Sequence, residues 1–365
     1  MTRKACDYPV LFTTILLVSI GIVMIFSASY YYAFHRFGDY YYFFKRQLGW
    51  AGVGLVVMIF TMNFDYWRWE KYGKPLLLVS FIMLAALFIP GLGIETNDAV
   101  RWLGVGSFRI QPSEVAKLSL IIYMAASMAK KKGAMATFTR GVLPYLIILI
   151  GLFGLIIKQP NLSTAGIIVM LGFILMFVGG TRLLHLFGLI VLGGAGAAYF
   201  ITSAEYRLER FLSFTNPWND PLDTGYQVIQ SLYSLGSGGL FGTGLANSMQ
   251  KYLYIPEPQT DFIFAIIGEE LGFIGSVTVI ILFMVLIWRG IKIAITAPDS
   301  FACFVATGIT SMIALQVILN IAVVTSSIPP TGVPLPFITY GGSSLLITMA
   351  SIGILLNISR YTKMN

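Results

Sequence analysis

Long apolar runs, each ended by a short polar or charged stretch, recur along the whole 365-residue chain. A helix rises about 1.5 Å per residue, so about 20 mostly apolar residues cross the hydrocarbon of a bilayer. Such runs lie near 9–29, 47–63, 75–91, 113–129, 142–157, 164–180, 185–202, 261–288, 302–324 and 343–359. They predict an all-α, polytopic integral membrane protein with about ten transmembrane helices, forming a single transmembrane domain over 1–365. No fixed-period repeat and no inverted pair of halves is visible. The first run is too long for a signal-peptide core and further spans follow, so it reads as a retained helix.

Between the seventh and eighth spans lies a long extracytoplasmic loop, 203–260. Structureless loops of that length are uncommon. Within it Val228, Ile229, Leu232, Tyr233 and Leu235 recur at helical spacing, opposite Gln227, Gln230, Ser231 and Ser234. That pattern predicts a short helix, either lying on the membrane surface or packed on the ends of the spans.

Composition supports the membrane reading: 57% of residues are apolar and 11% charged, against roughly a quarter charged in soluble domains. The net charge of +8 does not mark a nucleic-acid surface, because the basic residues fall in short clusters between apolar runs. Placing the N-terminus in the cytoplasm puts fourteen of the 24 Lys and Arg residues inside, including Arg3, Arg68, Lys71, Lys74, Lys130, Lys131, Lys132, Arg289, Lys292 and Lys363. Nine fall outside, Arg207, Arg210 and Lys251 among them in the long loop where this rule weakens. An even number of spans returns the C-terminus to the cytoplasm. The acids show the opposite bias: Glu95, Asp98, Glu114, Glu205, Glu209, Asp220, Asp223, Glu257 and Asp261 gather at the outer side. Polar chemistry is thus expected on the external face. Cys6 and Cys303 read as free thiols.

Asp261 follows Pro256-Glu257-Pro258 at the outer end of the eighth span. The prolines keep the helix from starting earlier. An N-cap is one reading of Asp261; a substrate-facing carboxylate is the other. Ala265, Gly268, Gly272 and Gly275 share its helix face, forming either a helix-packing seam or the floor of a lipid groove.

At the fourth span, Glu114 and Lys117 are three apart and share a helix face. Lys117 is a snorkelling lysine or, lying about a turn inside the apolar region, a functional cation. With Arg101 and Arg109 just before it, the cluster suits a pyrophosphate, which Arg meets bidentately and Lys as a point charge. Arg46, before the second span, either joins it or anchors the interface. Four prolines within 329–336 forbid regular helix and predict a re-entrant or surface-packed loop, ending in serines, Ser343 first, that cap the tenth span. Ser343 and Glu257 complete the candidate binding set. The glycines between 236 and 244 lack the strand a nucleotide loop needs. His35 and His185 are lone and on opposite sides of the membrane, so no histidine metal site forms. No cofactor is implied beyond, at most, a divalent cation.

These segments resemble the SEDS family (shape, elongation, division and sporulation). The likeness is carried by Ala99-Val100-Arg101-Trp102-Leu103, Gln111-Pro112-Ser113-Glu114 and the stretches 256–272 and 330–344. Asn216-Pro217-Trp218, Gly225-Tyr226-Gln227 and the stretches 237–240 and 247–251 resemble its FtsW/SpoVE branch more than its RodA branch. Ser326 stands where the family commonly has Gly, and Thr339 where Ser is usual. The resemblance implies a peptidoglycan glycosyltransferase of the bacterial cytoplasmic membrane, polymerising lipid II on its outer face in division or sporulation. It implies Asp261 as the essential carboxylate and a class B penicillin-binding protein, a transpeptidase, as partner. The competing class is a lipid II flippase, and the third a structural scaffold. A flippase needs a polar path from both faces, whereas only Glu269 and Glu270 lie deep here.

Overall fold

The computed structural model describes residues 4–96, 99–105, 108–131, 133–203, 208, 214, 216–221, 225–252 and 254–362. Arg3, Asp98, Lys132, Glu205, Arg207, Glu209, Arg210, Asp223 and Lys363, used above for orientation, lie outside the described residues.

Each of the ten apolar runs lies on a helix. They are α1 (Tyr8–Phe37), α2 (Tyr42–Asn63), α3 (Tyr66–Ala86), α4 (Pro112–Lys130), α5 (Leu143–Ile157), α6 (Leu162–Val178) and α7 (Leu183–Thr202). After the long loop with its short helix α8 (Tyr226–Ser237) come α9 (Ile263–Ile295), α10 (Ser300–Val324) and α11 (Gly342–Ser359). A wider turn, Phe138–Val142, leads into α5. By length and hydropathy six of these helices suffice to cross a membrane: α1, α2, α5 with its lead-in, α9, α10 and α11. The chain is a multi-pass membrane protein.

The third helix departs most from its apolar run. It starts at Tyr66, nine residues before the run at 75, and ends at Ala86. Its first turns carry Arg68, Glu70, Lys71 and Lys74, which hydropathy excludes but a helix tolerates where long side chains reach water. Between α3 and α4 stands a small antiparallel sheet that the apolar runs do not predict: β1 (Gly93–Thr96), β2 (Ala99–Val105) and β3 (Phe108–Ile110), in the order β1-β2-β3. Leu103 faces both Gly93 and Ile110, and Gly104 faces Arg109.

α4 and α11 are buried on nearly every side and form the centre of the bundle; helices apolar all round belong there. α2 packs along α11, α3 along α4, and α1 and α10 along α9. α7 lies at the rim, with Leu183, Leu184, Phe187, Leu192 and Tyr199 exposed. Asp7 caps α1 by accepting from the Val10 amide at 3.2 Å, and its carboxylate also takes the Arg289 guanidinium at 2.5 Å. The Asp7 amide donates to Ser359 Oγ at 3.0 Å, and the Lys4 amide to the Arg360 carbonyl at 3.1 Å. Residues 4–7 and 359–360 therefore sit at one face, with the C-terminal part of α9.

Candidate active site

At the opposite face, α9 begins at Ile263 with Phe262 in the cap position and no side-chain cap bond. The capping reading of Asp261 is therefore corrected: the acid stands one residue outside the helix. Thr260 Oγ1 donates to Asp261 Oδ1 at 2.9 Å, and Asn320 Nδ2 donates to the Asp261 carbonyl at 2.7 Å. The carboxylate is half-buried, and a methyl built on Gly332 would stand 3.7 Å from its Oδ2. Glu257, held between two prolines at φ 47°, has its carboxylate 3.9 Å from the Arg36 guanidinium.

The proline-rich loop supplies the facing wall. It is non-helical from Pro329 to Pro334, and Val333, Leu335, Phe337 and Ile338 are buried. A Cβ on Gly21, near the middle of α1, would come within 2.5 Å of the Phe337 carbonyl. The loop therefore descends into the bundle, as the re-entrant reading expected. Two hydrogen bonds tie it to the Asp261 segment: Tyr340 N to the Gln259 carbonyl at 2.9 Å, and Thr339 Oγ1 to the Thr260 carbonyl at 3.2 Å. Thr339 also accepts from the Leu335 amide at 2.8 Å. A serine would supply the same hydroxyl, so that departure from the family pattern changes no bond.

Tyr340 is bonded to one of the candidate cations. Its hydroxyl bonds Arg46, and Arg109 lies close enough to pull its pKa down alongside Arg46. Burial is the larger influence and raises it overall. The Arg46 guanidinium also lies 4.3 Å from the Tyr42 ring centroid, and the Phe43 ring meets Tyr340 edge-on at 4.9 Å. Arg46 thus stands beside the loop that holds the carbonyls of Gln259 and Thr260, and Arg109 lies within electrostatic reach of the same hydroxyl. Arg109, the middle residue of β3, is exposed. Arg101 points elsewhere: its guanidinium donates to the Gln159 carbonyl at 3.0 Å and to the Pro160 carbonyl, fastening β2 to the α5–α6 turn.

Lys117 does not snorkel. Its Nζ meets Glu114 Oε1 at 2.8 Å, and the two side chains are 1% and 4% exposed. Ser343 does not cap α11 either, because Gly341 holds that position and places Ser343 inside the first turn. Its hydroxyl is buried without a hydrogen-bond partner, as is that of Ser113 at the start of α4. α11 packs against β3 and α4. Among the described residues no three His, Cys, Asp or Glu side chains gather as a metal site.

The small-residue stripe is a packing seam, not a groove floor. Gly272 breaks α9 with φ 68°, and a Cβ there would collide with the Gly242 amide at 2.3 Å. Leu235 of α8 fills the space over Gly268, where an added Cβ would meet its Cδ2 at 2.5 Å. The loop glycines also let the backbone donate to α9: Thr243 N to the Glu269 carbonyl at 2.9 Å and Gly244 N to that of Glu270 at 3.0 Å.

Beneath the seam lies a buried network that the sequence reading did not assemble. Lys251 Nζ pairs with Glu270 Oε1 at 3.1 Å, with both side chains 0% exposed. Ser27 of α1 donates to both oxygens of Glu270, at 2.8 and 2.6 Å. Glu269 accepts from Ser234 Oγ at 2.9 Å, Ser248 Oγ at 2.6 Å and the Met249 amide at 2.7 Å. This explains the orientation of α8. It packs on α9 and α10, and Ser231 and Ser234 face inwards with Val228 and Ile229 while Tyr233 is exposed. The serines sit there because Ser234 bonds Glu269 and Ser231 bonds the Val324 carbonyl at 2.8 Å.

Residues 8–364 match the family of FtsW, RodA and SpoVE cell cycle proteins. The chain belongs to that family. Stage V sporulation protein E of Bacillus subtilis is 48% identical over 363 residues, 99% of each chain. A probable peptidoglycan glycosyltransferase FtsW of Trichlorobacter lovleyi is 44% identical over 358 residues, covering 98% of this chain and 94% of that one. Among solved structures, a chain of a peptidoglycan synthase complex that coordinates polymerisation and crosslinking superposes with a TM-score of 0.81 at 28% identity, covering 98% and 99%. Thermus thermophilus RodA gives 0.74 at 25% identity over 99% of both chains.

Proposed function

We propose that this chain is a peptidoglycan glycosyltransferase that polymerises lipid II at the outer face of the bacterial cytoplasmic membrane. The observation that carries the reading is Asp261: a half-buried residue outside the helix cap, directly after Gln259 and Thr260, whose carbonyls are held by the loop that carries Tyr340 beside Arg46. A glycosyl transfer needs a base at the attacking hydroxyl and positive charge at the departing phosphate. Asp261 takes the proton of the acceptor sugar's 4-hydroxyl. The freed oxygen bonds to the donor's anomeric carbon as the bond from that carbon to the pyrophosphate breaks. The electron pair leaves with the lipid pyrophosphate, whose charge Arg109 and Arg46 meet. Attack opposite the leaving group inverts an α-linked donor to a β-1,4 bond.

Lys117 and Glu114 support this site from below as a closed pair, and Arg101 supports it by fastening the sheet that carries Arg109. The names of the FtsW relatives favour the same activity. The flippase is the weaker reading, because the deep ionisable groups close on each other, Lys251 with Glu270 and Lys117 with Glu114. By the same reading 203–260 faces outward, both termini are cytoplasmic, and the partner is a class B penicillin-binding protein that crosslinks the strands. Vesicles holding the protein, its transpeptidase and labelled lipid II test it. Polymer is the expected product, and translocation of lipid II without polymer contradicts it.

A further inference from the structure

Asn320 sits near the outer end of α10 and is 1% exposed. Its amide nitrogen donates to two carbonyls from different segments, that of Asp261 at 2.7 Å and that of Val333 at 2.8 Å. Those carbonyls belong to the two walls of the proposed site: the strand of chain leading into α9, and the re-entrant loop. A side-chain amide has two N–H groups on one nitrogen, so it can satisfy both carbonyls at once. Aspartate has no donor when ionised, serine has one, and leucine of similar size has none.

Three fixed points result on successive residues. Tyr340 N holds the Gln259 carbonyl, Thr339 Oγ1 holds the Thr260 carbonyl, and Asn320 holds the Asp261 carbonyl. The first two come from the loop itself and move with it. Asn320 comes from the body of α10 and ties both walls to the bundle. We propose that Asn320 is a positioning residue: it sets the Asp261 carboxylate at a fixed distance from the loop, and therefore from the acceptor hydroxyl. A displacement of an ångström at such a point costs rate far more than binding, because a proton transfer needs hydrogen-bond reach. The donor's contacts lie on Arg109 and Arg46, which Asn320 does not touch.

This inference rests on the glycosyltransferase reading, and its test separates the two. Wild type, Asn320→Leu and Asn320→Gln are reconstituted with the transpeptidase, and kcat and KM for lipid II are measured beside the melting temperature. Failure of the wild type to polymerise counts against the function itself. With an active wild type, the expected result is a kcat for Asn320→Leu lower by about 10²-fold, with KM within about twofold. Asn320→Gln keeps both N–H groups one methylene further out, so its kcat falls between the two. Should Asn320→Leu not be recovered folded, Asn320→Gln is read alone. A wild-type kcat in a folded variant, or a loss confined to KM, overturns the proposal.

Discussion

Lys251 and Glu270 meet at 3.1 Å with neither side chain reaching solvent, and Ser27 of α1 closes the second side of the carboxylate. Burying two charges is costly, and removing one partner leaves the other uncompensated. Lys251→Met should therefore destabilise the protein by about 3–5 kcal/mol. Adding Glu270→Gln should recover much of that loss, since it removes the orphaned charge. Thermal unfolding in detergent checks both. A double variant no more stable than Lys251→Met would show that the pair is not what binds the loop to α9.

Arg109 and Lys117, alike as candidate phosphate cations in the sequence, should behave differently. Arg109 is exposed on a short strand, so Arg109→Ala should keep the melting temperature and raise KM for lipid II. Losing a charge-assisted hydrogen bond costs about 1.5–3 kcal/mol, or roughly ten- to a hundredfold. Lys117 is buried against Glu114, so Lys117→Ala should lower stability as well as activity. Equal melting temperatures for the two variants would contradict this division.

Much of the architecture was readable from hydropathy. All ten apolar runs fall on helices, and the proline-rich stretch 329–336 is irregular for the reason its prolines gave. The sheet at 93–110 was not foreseen. Its signal is there in Val100 and Trp102, but three short strands next to long apolar runs carry little weight in a search tuned to twenty-residue segments. The α8 pattern does not predict that its serines lie inside, because Ser231 and Ser234 are buried by their own hydrogen-bond partners. Lys251, Glu269 and Glu270 could not be joined from sequence, since the turn at Gly242 and the break at Gly272 bring them together. Asp261 stands out as a candidate by its place and by the family resemblance; that it does not cap the helix is visible only in the backbone.

Ser326 adopts φ 55°, the left-handed region that favours glycine. This accounts for the glycine common in the family at that position. Ser326→Gly should relieve the strain and stabilise the protein by about 1 kcal/mol. An unchanged or lower unfolding temperature would contradict it.

Orientation can be tested at Leu245, which is 55% exposed in the long loop. In a protein with Cys6 and Cys303 replaced by serine, Leu245→Cys should react in intact cells with a membrane-impermeant thiol reagent. Reaction only after the cells are opened would invert the topology and remove the outer-face chemistry.

The most direct measurement on the central claim is lipid II polymerisation by Asp261→Asn. Because Phe262 holds the cap position of α9, the substitution removes no cap and changes size very little. The variant should therefore keep its melting temperature and its association with the transpeptidase. An amide cannot take the acceptor's proton, and losing a general base typically costs about 10²–10⁴-fold in rate. The account predicts glycan output lower by at least about 10²-fold from a folded, partner-bound protein. Near-normal polymer from that same protein would contradict it and take Asp261 out of the mechanism.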